Sequence, residues 1–355
     1  MAVNDAVAKN NNALKAAWLL MLATFLWGTS FLLMKSLVMV QQQLVPEAGT
    51  WMLAALSITF RFGIAAAILA VWQYKRLKRL TKLELYEGVG LGVIGGTGLL
   101  LQMDGVNYTH ASTSAFLTQS YCVFIPLWVA LRSRRWPSRT ILTSSAMVLA
   151  GVTILSEINF TQMRLGRGEL ETLLASLFFT AQILWLERPK FAKNDPHNFT
   201  IVMFAVTAVI FLPIPFWGGN AAMIAPAYGS APAVMFSLLL MGLCTLVAYS
   251  LMNHWQPCVP ATQAGLIYCS EPVFTSLFAL FLPGWFSILA SIHYPNESLT
   301  VNQVVGGGLI TAANILILFQ AARAARPKAG ADTLSGQKMK PAVVPLTGNN
   351  GGNLR

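Results

Sequence analysis

Long apolar runs, each about as long as a membrane is thick, recur along most of the chain. The hydrocarbon core of a bilayer is about 30 Å thick, and a helix needs roughly 20 apolar residues to cross it. Runs of this kind begin at ten places, near Ala17, Trp51, Glu87, Ala111, Thr140, Leu170, Phe199, Pro232, Ala261 and Val301. The short stretches of alternating polarity that mark a transmembrane barrel are missing from the sequence. The runs therefore predict an all-α, polytopic membrane protein with ten transmembrane helices.

Composition and charge fit a membrane protein and exclude an ordinary soluble enzyme. Only 10% of the 355 residues are charged, whereas soluble domains carry about 25%, and the mean hydropathy is +0.59. The net charge of +11 is unevenly distributed, because 20 of the 24 lysines and arginines fall on one side if the N-terminus is cytoplasmic. The positive-inside rule then predicts that both termini are cytoplasmic. Topology in the bilayer thus accounts for the charge, and no nucleic-acid partner is expected.

The ten runs divide into two sets of five. Shifting the second set by 150 residues lays Ser114–Leu131 over Ala264–Phe281 with four identical positions. Because five is odd, the second set must enter the membrane from the opposite side, which predicts two inverted five-helix repeats with a site near the midplane. The predicted organisation is a polar cytoplasmic N-terminus (1–16), a first repeat (17–157), a second repeat (158–321) and a basic, disordered cytoplasmic tail (322–355).

Five segments carry a resemblance to a known family: Leu22–Val38, Arg61–Ala70, Ser112–Trp128, Ala261–Leu280 and Asn296–Leu318. In order, and including the Trp-Gly pair of the first run and the Glu-Pro-Val-Phe of the ninth, they resemble the EamA-type group of the drug/metabolite transporter superfamily. The resemblance implies two inverted five-helix repeats that move small metabolites, commonly out of bacterial cells. An insertion at Pro283–Pro295 departs from the family pattern, and we expect an interfacial or re-entrant segment there on the outer face.

Ionisable residues inside the runs are few, and each costs about 2.5–3.5 kcal/mol at the centre of a membrane helix. Glu271 stands in the ninth run directly before Pro272, which frees a backbone carbonyl one turn earlier. It is a candidate protonatable group or substrate-amine contact, or it holds the kinked helix to a neighbour. Arg61, midway along the second run, is a candidate partner of Glu271 or of an anionic substrate, or a structural residue. Lys35 and Glu187, at the ends of the first and sixth runs, are candidates for charge coupling or gating, or interfacial anchors.

Polar and aromatic residues within the runs supply candidates for a substrate cavity, because such groups orient a ligand without a large desolvation penalty. With Glu271, the candidates are Trp27, Gln119, Tyr121, Gln182 and Tyr268. The alternative role is hydrogen bonding between helices, worth about 0.6 kcal/mol on average in a bilayer. Asp104, at the outer end of the third run, is expected in the headgroup region.

Several motifs are better explained by packing than by chemistry. Gly90–Gly95 matches the dinucleotide-binding GxGxxG pattern, but no strand precedes it, whereas Gly88, Gly92 and Gly96 form a small-residue stripe suited to close helix packing. Gly306–Gly308 has the same interpretation. The four cysteines and four histidines show no metal-ligand spacing, and no Walker loop is present, so neither a metal nor a cofactor is expected.

These features favour a secondary active transporter in the inner membrane of a bacterium. It is expected to export small polar metabolites such as amino acids by alternating access, with a small-molecule substrate and proton coupling through Glu271. The alternatives are a membrane-embedded enzyme acting on lipid or isoprenoid head groups, which usually needs a cluster of acidic or histidine residues, and a non-transporting scaffold. No catalytic residues are nominated.

Overall fold

The computed structural model describes residues 2–108, 114, 117–134, 136–155, 166–217 and 221–325, and this part is helical with no strand. The start of the fourth run, the boundary between the predicted repeats and the tail beyond residue 325 lie outside the described residues. The helices are α1 (Ala2–Gly28), α2 (Ser30–Leu44), α3 (Thr50–Trp72), α4 (Tyr74–Leu77), α5 (Lys82–Gly105), α6 (Tyr121–Ser133), α7 (Arg139–Leu155), α8 (Arg167–Leu186), α9 (Pro196–Phe211), α10 (Pro213–Phe216), α11 (Ala221–Ala227), α12 (Ala231–Leu239), α13 (Ala248–Trp255), α14 (Ala261–Tyr268), α15 (Glu271–Ala279), α16 (Leu282–Ala290) and α17 (Val301–Ala325). A π-helix, Leu240–Val247, joins α12 to α13.

The long apolar helices coincide with the predicted runs. Five described segments are long and apolar enough to cross a membrane: Ala13–Leu44, Thr50–Trp72, Arg167–Leu186, Pro196–Phe216 and Ala231–Cys258. A sixth is the pair Ala261–Ala279 and Leu282–Ala290, which bends by 59°. Three shorter apolar helices, Tyr121–Ser133, Arg139–Ile154 and Val301–Ile317, and the glycine-rich α5 account for the remaining runs. This confirms the prediction of an all-α, polytopic membrane protein.

Glycines let α5 lie in close contact with two other helices. A Cβ on Gly92 would lie 2.8 Å from the carbonyl oxygen of Met203 in α9, and one on Gly95 would lie 2.5 Å from Nε2 of Gln182 in α8. No side chain fits in these gaps, so the packing interpretation of the third-run glycines is confirmed. In the tenth run the packing interpretation fits Gly306, whose carbonyl oxygen would lie 2.7 Å from a Cβ on Gly151, and it is wrong for Gly308, where a Cβ would meet no atom within 4 Å.

Contacts between helices of the two predicted repeats recur in related pairs. Helix α5 of the first packs on α8 of the second, and the counterpart contact joins α1 and α2 of the first to α12 and α13 of the second. Likewise α6 packs on α8, while α14 and α15 pack on α1. The α3–α9 and α7–α17 pairs each join helices that hold the same position in the two predicted repeats.

The insertion after the ninth run folds back on the bundle. Helix α16 follows the 59° bend, and Ser287 Oγ donates to the carbonyl of Tyr294 (2.7 Å) and accepts from its backbone N–H (2.9 Å). The ring of Phe286 packs against Phe236 of α12, with centroids 5.1 Å apart. The predicted insertion at Pro283–Pro295 is therefore a bent helix followed by an extended segment.

Candidate functional site: a central polar cavity

Three helices of the bundle are interrupted at the level of one cavity. Thr29 separates α1 from α2, the π-helix interrupts the eighth span, and Cys269 and Ser270 separate α14 from α15. Pro272 has no N–H to continue the helix, and the break precedes it. At these breaks backbone groups become available to side chains: Trp27 Nε1 donates to the carbonyl of Cys244 within the π-helix (3.0 Å). Broken helices of this kind commonly surround the binding sites of secondary transporters.

The cavity has a volume of about 60 Å³. It is bounded by helices of both halves, and its lining consists of Trp27, Ser30, Arg61, Leu99, Gln102, Thr118, Tyr121, Phe179, Gln182, Ile183, Tyr249, Met252, Tyr268 and Glu271. This is room for a few water molecules, whereas typical ligand sites hold about 300–1,000 Å³. A ligand of ordinary size would therefore require the cavity to widen.

The Arg61 side chain lies in the cavity wall with unused hydrogen-bonding capacity. It is 3% exposed, and its Nε donates to Thr245 Oγ1 of the π-helix at 2.6 Å. Its Nη1 is buried without a hydrogen-bond partner among the described residues. Gln182 Nε2, in the same lining, is likewise without a partner in that part of the chain. Both groups can donate to an anionic or carbonyl oxygen placed in the cavity.

Glu271 belongs to the same lining but does not pair with Arg61. Within the described residues, no contact of 4 Å or less joins the guanidinium to this carboxylate. Tyr249 lines the cavity together with both groups. The cavity thus offers a guanidinium and a carboxyl group at separate positions.

Aromatic rings form a wall of the cavity. The ring of Trp27 packs edge-on against Tyr249 and Tyr268, with centroid distances of 5.2 and 5.5 Å. The Tyr268 hydroxyl donates to Gln256 Oε1 (3.0 Å), and Gln256 Nε2 donates to the carbonyl of Ile183 (2.9 Å). This chain of hydrogen bonds links α14 to α8 beside the cavity.

Polar contacts also join the helices on the side of the cavity that Gln102 and Thr118 line. Gln102 Nε2 donates to Thr118 Oγ1 (3.2 Å), and the hydroxyls of Ser114 and Thr172 are 3.1 Å apart.

A cluster of charges also holds α5 to α8. Arg167 uses all three kinds of guanidinium nitrogen: Nη2 contacts Asp104 Oδ2 (2.6 Å), Nε contacts Glu171 Oε1 (2.8 Å), and Nη1 donates to the hydroxyl of Tyr108 (3.0 Å). Tyr108 in turn bonds to Thr50 of α3 (2.9 Å). Asp104 is fully buried, and its expected position at the depth of the headgroup region stays a prediction.

Most of the predicted site residues meet at the cavity. Trp27, Tyr121, Gln182, Tyr268 and Glu271 line it, and Arg61, predicted as a coupling or gating residue, lines it as well. Gln119 is buried but is not part of the lining.

The predicted gating pair lies away from the cavity. Lys35 is exposed, with Nζ 5.2 Å from the centroid of the Tyr294 ring, and Glu187 ends α8 at the opposite end of the bundle. Neither residue is in the lining.

Sequence reasoning missed several lining residues, among them Ser30, Gln102, Thr118 and Tyr249. Ser30 had a usable signal, since it follows Trp27 by three residues on the same helical face. Tyr249 had none, because the π-helix before it changes the phase of the eighth span.

Comparison with known proteins agrees with this architecture. Residues 14–157 match the EamA-like transporter family. Two relatives from Archaeoglobus fulgidus, each named an uncharacterized transporter, are 23% identical over 290 residues (78% of this chain, 94% of the relative) and 26% identical over 306 residues (84% of each). A solved crystal structure superposes with a TM-score of 0.64 over 87% of this chain and 98% of that chain, at 14% identity, which is a likeness of fold. The protein is a multi-pass membrane transporter with an EamA-like domain, as its sequence resemblance implied.

Proposed function

We propose that the protein is a secondary active transporter that exports a small polar solute, such as an amino acid, by alternating access. Two inverted five-helix repeats, residues 17–157 and 158–321, rock around the central cavity. The protein lies in the inner membrane of a bacterium with both termini in the cytoplasm.

The related helix contacts of the two halves support the inverted repeat. An inverted repeat requires a two-fold axis in the membrane plane, and such an axis would relate the α5–α8 contact to the contact of α1 and α2 with α12 and α13. The same axis would leave α3–α9 and α7–α17 in place as pairs. Rocking of one repeat against the other opens such a bundle on alternate sides.

The observation that carries the proposed substrate is the separation of Arg61 from Glu271 in one small cavity. The free Nη1 of Arg61 suits a carboxylate, because guanidinium N–H groups bind carboxylates strongly. The Glu271 carboxylate suits an ammonium group. A molecule carrying both groups, such as an amino acid, would satisfy both side chains at once.

The orientation is supported by the charges at the two ends. One end carries exposed basic residues of the described loops and helix ends, among them Lys15, Lys75, Arg76, Arg188 and Lys190. At the opposite end Arg167 is paired with two carboxylates. The positive-inside rule assigns the basic end to the cytoplasm.

Export is tested by comparing metabolites released by cells that express the protein, cells with an empty vector and cells with Glu271→Gln. Purified protein in liposomes then measures flux of the solute so identified, with and without a pH gradient. Proton coupling through Glu271 predicts that Glu271→Gln abolishes the dependence on the pH gradient. The matched control, Glu297→Gln, makes the same change at an exposed residue outside the cavity and should leave the dependence intact.

Two results would contradict this proposal. If membranes contain the protein but the medium matches the empty vector for every solute, export is wrong. If Glu271→Gln retains the full response to the pH gradient, proton coupling through this residue is wrong.

A further inference from the structure

A second and larger groove lies at the basic end of the bundle. Its volume is about 990 Å³, and it is formed by the end of α3, by α4, by the start of α9, by the end of the π-helix and by α13. The groove shares no lining residue with the central cavity. It is therefore a separate site.

The walls of the groove are apolar and open outward. They are formed largely by Leu69, Val71, Trp72, Tyr74, Leu246, Val247, Leu251 and Trp255. Val71 is 81% exposed and Trp72 is 79% exposed. In a membrane protein such outward-facing apolar surface contacts lipid, so the groove is accessible from the bilayer. Trp and Tyr are enriched at the headgroup level of membranes, which places the rim of the groove at that depth.

Basic side chains stand at the rim. Lys75 is exposed and forms no ion pair among the described residues. Arg76 is largely exposed and reaches Asp195 Oδ2 only through Nη1, at 3.4 Å. The other oxygen of Asp195 accepts from the backbone N–H and Nδ1 of His197, at 3.0 and 3.1 Å. One carboxylate is thus shared among several donors, and the rim keeps a net positive charge.

We propose that this groove binds an anionic phospholipid of the leaflet that it faces. The lipid phosphate sits between Lys75 and Arg76, and an acyl chain lies along Leu69, Val247 and Leu251. A neutral solute would leave the basic rim unmatched, and a small soluble anion would leave the apolar walls exposed. Only a molecule with an anionic head and an apolar tail complements both parts.

Native mass spectrometry of the full-length protein in neutral detergent tests the assignment, with phosphatidylglycerol as the anionic probe and phosphatidylcholine as the zwitterionic one. Detergent removes the charged membrane surface, so the measurement reports binding at a site. We expect at least one phosphatidylglycerol to remain bound under conditions that strip phosphatidylcholine.

Charge-neutralising variants locate the site. At about fivefold per basic residue, Lys75→Gln should weaken phosphatidylglycerol binding about fivefold and Lys75→Gln/Arg76→Gln about thirtyfold. Lys75→Gln leaves the Arg76–Asp195 contact intact, so it separates lipid binding from any loss of that ion pair. The matched control is Lys78→Gln/Arg79→Gln, two charges of the same link outside the groove lining. It should keep the affinity of the unmodified protein.

Three results would overturn the assignment. Equal binding of both lipids to the unmodified protein would remove the role of the headgroup charge. If Lys75→Gln/Arg76→Gln and Lys78→Gln/Arg79→Gln lose the same amount of phosphatidylglycerol affinity, the charges attract the lipid without forming a defined site. If glycerol 3-phosphate, which has the headgroup phosphate but no acyl chain, displaces the lipid at equal concentration, the groove takes a soluble anion instead.

Discussion

Two arginines of the bundle show opposite environments. Arg167 is about half exposed and uses Nε, Nη1 and Nη2 in bonds to Glu171, Tyr108 and Asp104. Arg61 is almost completely buried, yet its Nη1 has no hydrogen-bond partner among the described residues, while its Nε donates to Thr245. Water could satisfy Arg167 without any of its partners, whereas Arg61 has little water to rely on.

The difference separates a structural residue from a functional one. A buried donor without a partner costs about 1–3 kcal/mol, and more when it is charged. A chain that keeps such a group inside the membrane therefore tends to use it for a ligand. We therefore propose that Arg167 stabilises the fold and that Arg61 binds the solute.

Replacing Arg61 should have the largest effect on transport. Loss of a buried charged contact to a ligand costs about 2–5 kcal/mol, so Arg61→Gln should reduce the initial rate of solute exchange in liposomes at least about thirtyfold. Arg61→Lys keeps the charge without the planar fork and should retain part of the rate. If the Arg61→Gln protein exchanges solute at the normal rate, Arg61 does not bind the solute, and the proposed difference in role between Arg61 and Arg167 is wrong.

Replacing Asp104 should affect stability and spare transport. Asp104→Asn removes the charge that the fully buried carboxylate offers Arg167. Hydrogen bonds to charged groups contribute about 1.5–3 kcal/mol each, and part of that contribution is lost when the acceptor becomes neutral. The Tm of the purified protein should fall by several degrees, while the KM for the transported solute stays unchanged. A rise in KM at an unchanged Tm would instead assign the charge cluster around Arg167 to solute binding.

Glycine substitutions test the packing of α5, the helix that runs from the cavity to the charge cluster around Arg167. Helix α5 carries Gln102 in the cavity lining and Asp104 in the charge cluster. A Cβ at Gly92 would contact Met203 at 2.8 Å, so Gly92→Ala should destabilise the protein by about 1–3 kcal/mol. Gly308→Ala is the matched control, because its Cβ meets no atom within 4 Å. Unfolding in increasing denaturant compares the two, and equal stability would contradict the close packing of α5 on α9.

The smallest effect is expected at Asp195, a paired charge at the basic end. Its burial raises the pKa, but hydrogen bonds from the backbone and ring of His197, together with its charge and that of Arg76, outweigh burial and hold the pKa below the ordinary value of 3.8. A carboxyl with a lowered pKa stabilises the fold above pH 3.8, and this contribution is lost as the pH falls through the folded-state pKa.

Asp195→Asn should therefore make the fall of Tm below about pH 4 shallower. Asn also caps helices well, so the variant changes the charge and keeps the start of α9. If the Tm of the variant falls below about pH 4 as steeply as that of the unmodified protein, the contacts of the Asp195 carboxylate do not stabilise the fold.

Run length and residue type were enough to predict the helical membrane fold, because a bilayer imposes one length on every span. They also predicted much of the cavity. Glu271 beside Pro272 and Arg61 within an apolar run are costly in lipid, and that cost is visible in the sequence alone.

The remaining features depend on three-dimensional arrangement that one sequence does not encode locally. The burial of Asp104 depends on Arg167, which is 63 residues away. The position of Tyr249 depends on a π-helix within an evenly apolar run. The absence of an Arg61–Glu271 pair depends on how far apart the second and ninth spans lie.

Helix α13 forms a wall of both sites, with Tyr249 and Met252 at the cavity and Ser250, Leu251 and His254 at the groove. Any rotation of this helix about its axis alters both walls together. If solute and lipid favour different rotations, each changes the affinity of the other by the same factor, as thermodynamic linkage requires. The membrane's lipid composition would then set the apparent affinity of the transporter, and the transported solute would in turn change which lipids the protein retains.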